Sequence, residues 1–237
     1  MRRPSEVRAD LPALLSLPAA MIESPFPGHV GFAVRTRDAV ADLSLDPAET
    51  RLLTPRMELK RREEFVLGRA AAHAALMQLG FNPPPPILQG PWREPIWPEG
   101  YIGSITHTEG IAVCAVCSRD HAAGIGIDLE SIPERFDQEF CQVVGTKEER
   151  AWVDRDVLRL IRLFSAKEAA FKGFFPQTGA YLDFMDAVLT WQGQGFLGRL
   201  LRPIGLFPPD FEFLVGSMVI DTLVFSFMSL PSRYTIV

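Results

Sequence analysis

Apolar positions change period along the chain, and each change marks an element. HVGFAVR, near residue 30, alternates as a strand does, and Asp46-Pro47-Ala48-Glu49 opens a helix with a cap, a first-turn proline and a third-position glutamate. Thr54-Pro55 reads as a second helix start. Beyond it Leu59, Glu63, Val66, Ala70, His73 and Met77 recur at helical spacing until Gly80, Asn82 and a proline run end the helix. YIGSITHT and IAVCAVC then read as strands joined by a tight turn at Glu109-Gly110, and GIGIDLESI follows as a third strand. Thr146 with Glu149 makes a capping box, and Asp154 is expected to open a helix running to about Lys172. The remainder reads as mostly β: AVLTW, Gly-rich turns, then FEFLVGSMVI and TLVFSFMSL joined near Asp221.

The order strand, helices, strands is thus met twice. It predicts an α+β protein of two halves of similar plan, residues 1–120 and 121–237, with the ligand between them. The element order alone carries this expectation, since no sequence repeat is evident.

Strand alternation places Ile125, Ile127 and Leu129 on one face and Gly126, Asp128 and Glu130 on the other. The two carboxylates stand about 6.8 Å apart along the strand, within reach of one hard cation and its waters. Half-exposed, solvated acids are the plain alternative. On the helix FSAKEAAFKGF, at about 100° per residue, Glu168 falls in the arc of Val157, Leu160, Ile161, Phe164 and Phe171. Arg155, Arg159 and Arg162 fall opposite. A carboxylate on a buried arc needs a partner, and Lys172 at i+4 offers an ordinary helix ion pair. Three carboxylates brought together would instead call for a divalent cation.

Charge narrows the ligand. Against 29 Asp and Glu stand 24 Lys and Arg, a net charge of -5, which argues against a general nucleic-acid binder. An anionic ligand must meet a local basic cluster, and Arg62 and Arg69, seven residues or about 10.5 Å apart on one helix, provide a candidate with Lys60 and Arg61 beside them. A solvated basic face is the alternative. Arg93, Thr106 and His107 are further candidates. Cys114 and Cys117 read C-x-x-C, but three residues apart on a strand they face opposite ways, so reduced thiols and a cytoplasmic location are expected. Two arginines precede an apolar patch at the N-terminus, but Glu6, Asp10 and three prolines break it, and no membrane span is expected.

Taken in order, GSITHT, GIGIDLE and FSAKEAAFK resemble the 4'-phosphopantetheinyl transferases of the Sfp type, and LGRAAAHAAL, REPIWPEG and YLDFMD carry features of their enterobactin synthetase component D branch. The resemblance implies transfer of the phosphopantetheine arm from coenzyme A to a serine of an acyl, peptidyl or aryl carrier protein, releasing adenosine 3',5'-bisphosphate. It implies a pseudodimer of two α+β halves with the active site between them, and magnesium on Asp128, Glu130 and Glu168; Glu168, Lys172 and His107 are expected to be catalytic. Arg62, Arg69, Arg93, Thr106, His107, Lys167 and Lys172 would contact the coenzyme. Trp92 stands where the family often has a lysine, which leaves Arg93 to serve the 3'-phosphate. The family's pathways are siderophore, polyketide or nonribosomal peptide synthesis, and a monomer without nucleic-acid or membrane partners is expected. Two rivals share these residues: a magnesium-dependent nucleotide pyrophosphate hydrolase and a non-catalytic coenzyme A binding module.

Overall fold

Ala70, Ala71, Ala72, Ala74 and Ala75 let helix α2 (Leu59–Gln78) lie close on a sheet, because small side chains bring the backbones together. The computed structural model describes residues 22–38, 45–179 and 182–232. The N-terminal arginines and Tyr181 therefore lie outside the described residues. The buried face of α2 is Leu67, Ala71, Ala75 and Leu76; Leu59 and Met77, expected on it, are 80% and 50% exposed. The alanines shift the contact face away from the larger side chains that the spacing picked out.

Beneath α2 lies an antiparallel sheet in the order β1-β5-β4, formed by Gly31–Thr36, Ile111–Ser118 and Tyr101–Thr108. The β4–β5 turn uses Glu109 and Gly110 at φ of 47° and 79°, as expected of a tight hairpin. The second sheet runs β6-β10-β9-β8-β7, with β6 Ala122–Ser131, β7 Ala187–Trp191, β8 Gly195–Leu200, β9 Glu212–Ile220 and β10 Leu223–Pro231, all antiparallel. Helix α5 (Val157–Thr178) covers it. The fold is a mixed helix-and-sheet, α+β arrangement.

Among the described residues the core has three parts. Cys114 packs under α2 with Leu67 and Val116, while Cys117 packs in a central cluster with Ile102, Ile125, Ile127, Leu129 and Phe225. The two thiols thus face opposite ways, and both are free and buried. A third cluster lies under α5, around Phe174 and Phe196.

Several boundaries differ from expectation. No helix starts at Thr54-Pro55; short α1 (Pro47–Thr50) ends before it and α2 begins at Leu59. Asp154 does not open α5. It closes α4 (Lys147–Val153) in the left-handed region at φ 45°, Arg155 follows at 60°, and Asp156 caps α5 by accepting from Arg159 N–H. The helix, expected to end at about Lys172, continues through GFFP, with Pro176 in its last turns. Helix α3 (Gln138–Val144), strand β8 and the short hairpin β2–β3 (Leu88–Gln89 and Pro95–Ile96) were not anticipated. In β8 Gly198 mimics a turn residue, but it serves close packing: a Cβ there would lie 2.3 Å from the Phe213 ring.

The two sheets meet along β4 and β6. Here Ser104, Thr106 and Thr108, alternate residues of GSITHT, point at one edge. Ser104 Oγ accepts from Ile127 N–H at 3.1 Å, Thr106 Oγ1 accepts from Leu129 N–H at 3.0 Å, and the Thr108 and Ser131 hydroxyls lie 3.2 Å apart. Hydroxyls thereby satisfy amides at the seam that would otherwise be buried unpaired.

Candidate active site

Glycine decides how closely α5 approaches β6. A Cβ on Gly126 would lie 1.9 Å from the Ala169 carbonyl oxygen, and one on Gly124 1.9 Å from that of Gly173. Only glycines let the helix settle here, and further along the same strand face it meets Asp128. Ser165 Oγ donates to the Asp128 carbonyl at 3.4 Å, and Lys172 Nζ donates to Asp128 Oδ1 at 2.7 Å.

Asp128 is buried, and its Oδ1 also accepts from Thr106 Oγ1 at 3.3 Å, while Oδ2 is buried with no partner among the described residues. Burial pushes the Glu130 carboxyl up to about 7, with the Asp128 and Glu168 charges adding and Lys172 opposing. Glu168 is half-buried; burial also pushes its carboxyl up, against Lys172 and with Asp128. The three expected acids therefore sense one another's charge. Among the described residues, however, no group of three or more His, Cys, Asp or Glu side chains is arranged to hold a metal ion, and the Lys172 ammonium stands against Asp128 instead. An all-oxygen donor set with one orphaned buried oxygen fits a magnesium that keeps several of its waters.

A groove runs from α2 across β4 to α5. One cavity of about 500 Å³ is lined by Arg61, Arg69, Arg93, Ile105 and His107, and a second of about 610 Å³ shares Arg93 and Ile105 and continues to Phe171, Lys172 and Phe175. Arg69 is buried, lies 4.4 Å over the Phe65 ring and donates to the Leu88 carbonyl; burial pushes its guanidinium down to about 10, with Glu49 opposing. Its Nε is buried without a partner among the described residues. Arg62 is exposed and lines neither cavity; Arg61, read only as added charge, lines the first. His107 Nδ1 lies 3.8 Å from Glu64 Oε2, and burial holds its pKa down, Glu64 opposing and Lys172 adding. Trp92 and Arg93 line the second cavity side by side, Arg93 in the left-handed region at φ 67°.

Two expected coenzyme contacts are committed elsewhere. Thr106 spends its hydroxyl on Asp128 and Leu129, as the seam requires. Lys167 is 5% exposed, and its ammonium donates to Glu149 Oε2 at 2.8 Å, to the Phe184 carbonyl and to the Ala187 carbonyl at 3.2 Å. Those bonds use its three donors. The arginine stripe is also altered: Arg155 precedes α5, Arg159 donates to the Trp152 carbonyl, and Arg162 lies 4.7 Å over the Trp191 ring and donates to the Ser217 carbonyl. Glu64 and Glu149 drew no notice as site residues. Glu149 was legible only as a cap, because its burial comes from strands far along the chain.

The 4'-phosphopantetheinyl transferase N-terminal domain matches residues 48–117, and the 4'-phosphopantetheinyl transferase superfamily matches residues 124–213. The chain is 37% identical over 178 residues to the 4'-phosphopantetheinyl transferase PptT of Mycobacterium tuberculosis, covering 70% of this chain and 78% of that one. It is likewise 37% identical over 178 residues to Npt of Nocardia iowensis, covering 73% and 77%. To enterobactin synthase component D of Escherichia coli it is 36% identical over 141 residues, 57% of this chain and 65% of the relative.

Proposed function

The chain belongs to the 4'-phosphopantetheinyl transferases, and on that premise we propose that it moves the phosphopantetheine arm of coenzyme A onto a serine of an apo carrier protein, releasing adenosine 3',5'-bisphosphate. The observation that carries the reading is the Lys172–Asp128 pair where α5 crosses β6, with the Glu130 and Glu168 charges felt there and Lys172 lining a cavity that adjoins the basic one at α2.

Arg61, Arg69, Arg93 and His107 bind and orient the coenzyme's phosphates at the α2 end. Magnesium held by Asp128, Glu130 and Glu168 would neutralise pyrophosphate charge as the phosphoryl group moves. Glu168 accepts the serine proton, directly or through a water, from its half-buried position on α5 within the charge of Lys172 and Asp128. Lys172 stabilises the leaving phosphate from its position beside Asp128. The active site lies between two halves, residues 1–120 and 121–237, in a pseudodimer. Relatives named for enterobactin synthesis make siderophore carrier proteins one substrate class to try first. No helix among the described residues is long and apolar enough to cross a membrane.

The test is intact-mass spectrometry of an apo carrier protein incubated with this chain, coenzyme A and magnesium, beside a metal-free control. A metal-dependent gain of one phosphopantetheine is expected. Coenzyme A consumed without gain would establish the hydrolase instead, and coenzyme A bound unchanged would establish the binding module.

A further inference from the structure

Glu149 belongs to no part of the chemistry above, yet its carboxylate is among the most fully engaged groups in the molecule. It is 2% exposed and closes the α4 capping box by accepting from Thr146 N–H at 2.7 Å. A cap needs no more than that. Glu149 also accepts from Leu189 N–H at 2.7 Å and from Lys167 Nζ at 2.8 Å, and Lys167 in turn holds the Phe184 and Ala187 carbonyls. One buried carboxylate therefore ties the start of α4, the middle of α5, the segment 184–187 and strand β7.

The tied groups surround a functional position. Lys167, Phe184, Ala187 and Leu189 line a cavity of about 290 Å³, and Glu168 and Phe171 line it too. Lys167 and Glu168 are adjacent on α5, so anchoring the first side chain sets the rotation and height at which the second is presented.

The N-terminal half contains the same device. Glu49, at the third position of α1, is fully buried and accepts from Asp46 N–H at 3.2 Å, Ile87 N–H at 2.7 Å and His73 Nε2 at 2.9 Å. In each half a capping-box glutamate thus joins its own cap, the long helix and the segment beyond that helix. The partner is followed by Ala74 in one half and by Glu168 in the other. This parallel supports the pseudodimer reading, with Glu168 standing in one half where Ala74 stands in the other.

We propose that Glu149 is a positioning residue for transfer: through Lys167 it fixes the presentation of Glu168 and the facing wall formed by residues 184–189. The proposal rests on the reading of Glu168 as the base. Its test compares Glu149→Gln, Lys167→Met and the double variant with the unaltered chain, measuring Tm, kcat, the KM for coenzyme A, and amide exchange. Glu149→Gln strands a buried ammonium and is expected to lower Tm, whereas the double variant removes both charges and is expected to recover it. The proposal expects kcat to stay low in the double variant, by on the order of 10- to 100-fold, as for a misplaced reacting group, with KM for coenzyme A within about twofold. It also expects faster exchange at amides 184–189 in the double variant. If kcat recovers together with Tm, or exchange at 184–189 is unchanged, Glu149 only supports the fold and the proposal is overturned. Absence of transfer by the unaltered chain overturns the underlying reading, and is told apart because it shows before any substitution is made.

Discussion

Lys172 Nζ donates to Asp128 Oδ1 at 2.7 Å across the junction of α5 and β6, while the second oxygen of the same carboxylate is buried without a partner among the described residues. Lys172 and the Thr106 hydroxyl therefore satisfy one oxygen of Asp128, and the other is the one that a bound magnesium would satisfy. Magnesium added to the metal-free protein should raise Tm by binding the folded state alone. Because ligation requires an ionised Glu130, whose carboxyl is pushed up to about 7, the apparent magnesium affinity should weaken as pH falls below about 7. Asp128→Asn should abolish the magnesium-induced rise in Tm, read by differential scanning calorimetry with and without the metal. A rise of the same size in that variant would place the metal elsewhere.

Thr106→Val separates a seam residue from a coenzyme contact. The variant keeps the shape but leaves Leu129 N–H and Asp128 Oδ1 each short of a partner, a cost of about 1–3 kcal/mol for a buried group left unsatisfied. Chemical denaturation should show that loss. The KM for coenzyme A should stay near that of the unaltered chain; a rise in KM with no change in stability would restore Thr106 to the coenzyme site.

Arg69 and Arg62 should part company despite their shared helix. Arg69 reaches the groove from a buried position over Phe65, whereas Arg62 is exposed and lines neither cavity. Arg69→Ala should raise the KM for coenzyme A by on the order of tenfold or more, the loss of a charge-assisted contact. Arg62→Ala should leave steady-state kinetics within about twofold, as an exposed, screened charge does. Equal effects from the two would mean that the coenzyme reaches along the outside of α2.

Glu49 predicts a pH limit on stability. Burial alone would push its carboxyl up, but hydrogen bonds from His73, Ile87 N–H and Asp46 N–H, with the His73 charge, hold it below the ordinary range. Its folded pKa is depressed, so the unfolded chain binds the proton more readily. The contribution is fully present above the unfolded value of about 4.3 and is lost as pH falls through the folded one. Tm measured from pH 7 down to 3 should therefore fall less steeply in Glu49→Gln than in the unaltered chain. Parallel curves would remove Glu49 as an acid-sensitive anchor.

Local periodicity determined a good deal of this protein. Alternation along β6 fixed which face carries Asp128 and Glu130, the same rule turned Cys114 and Cys117 apart, and caps and turn residues placed α1, α4 and the β4–β5 hairpin. These follow from the pleat and from the unsatisfied ends of helices, which act over a few residues. What only the tertiary structure decided was rotation and partnership. Gly124 and Gly126 set how deeply α5 settles, and with it which lysine of KEAAFK meets Asp128: Lys172, while Lys167 turns to Glu149, Phe184 and Ala187. The alanine face of α2 likewise sent Arg69 and Arg61 to the groove and Arg62 to solvent. Thr106 found its use only where β4 and β6, separate in sequence, share an edge. The physical reason is the same in each case: a side chain's partner depends on how closely two backbones approach, and residues distant along the chain set that approach.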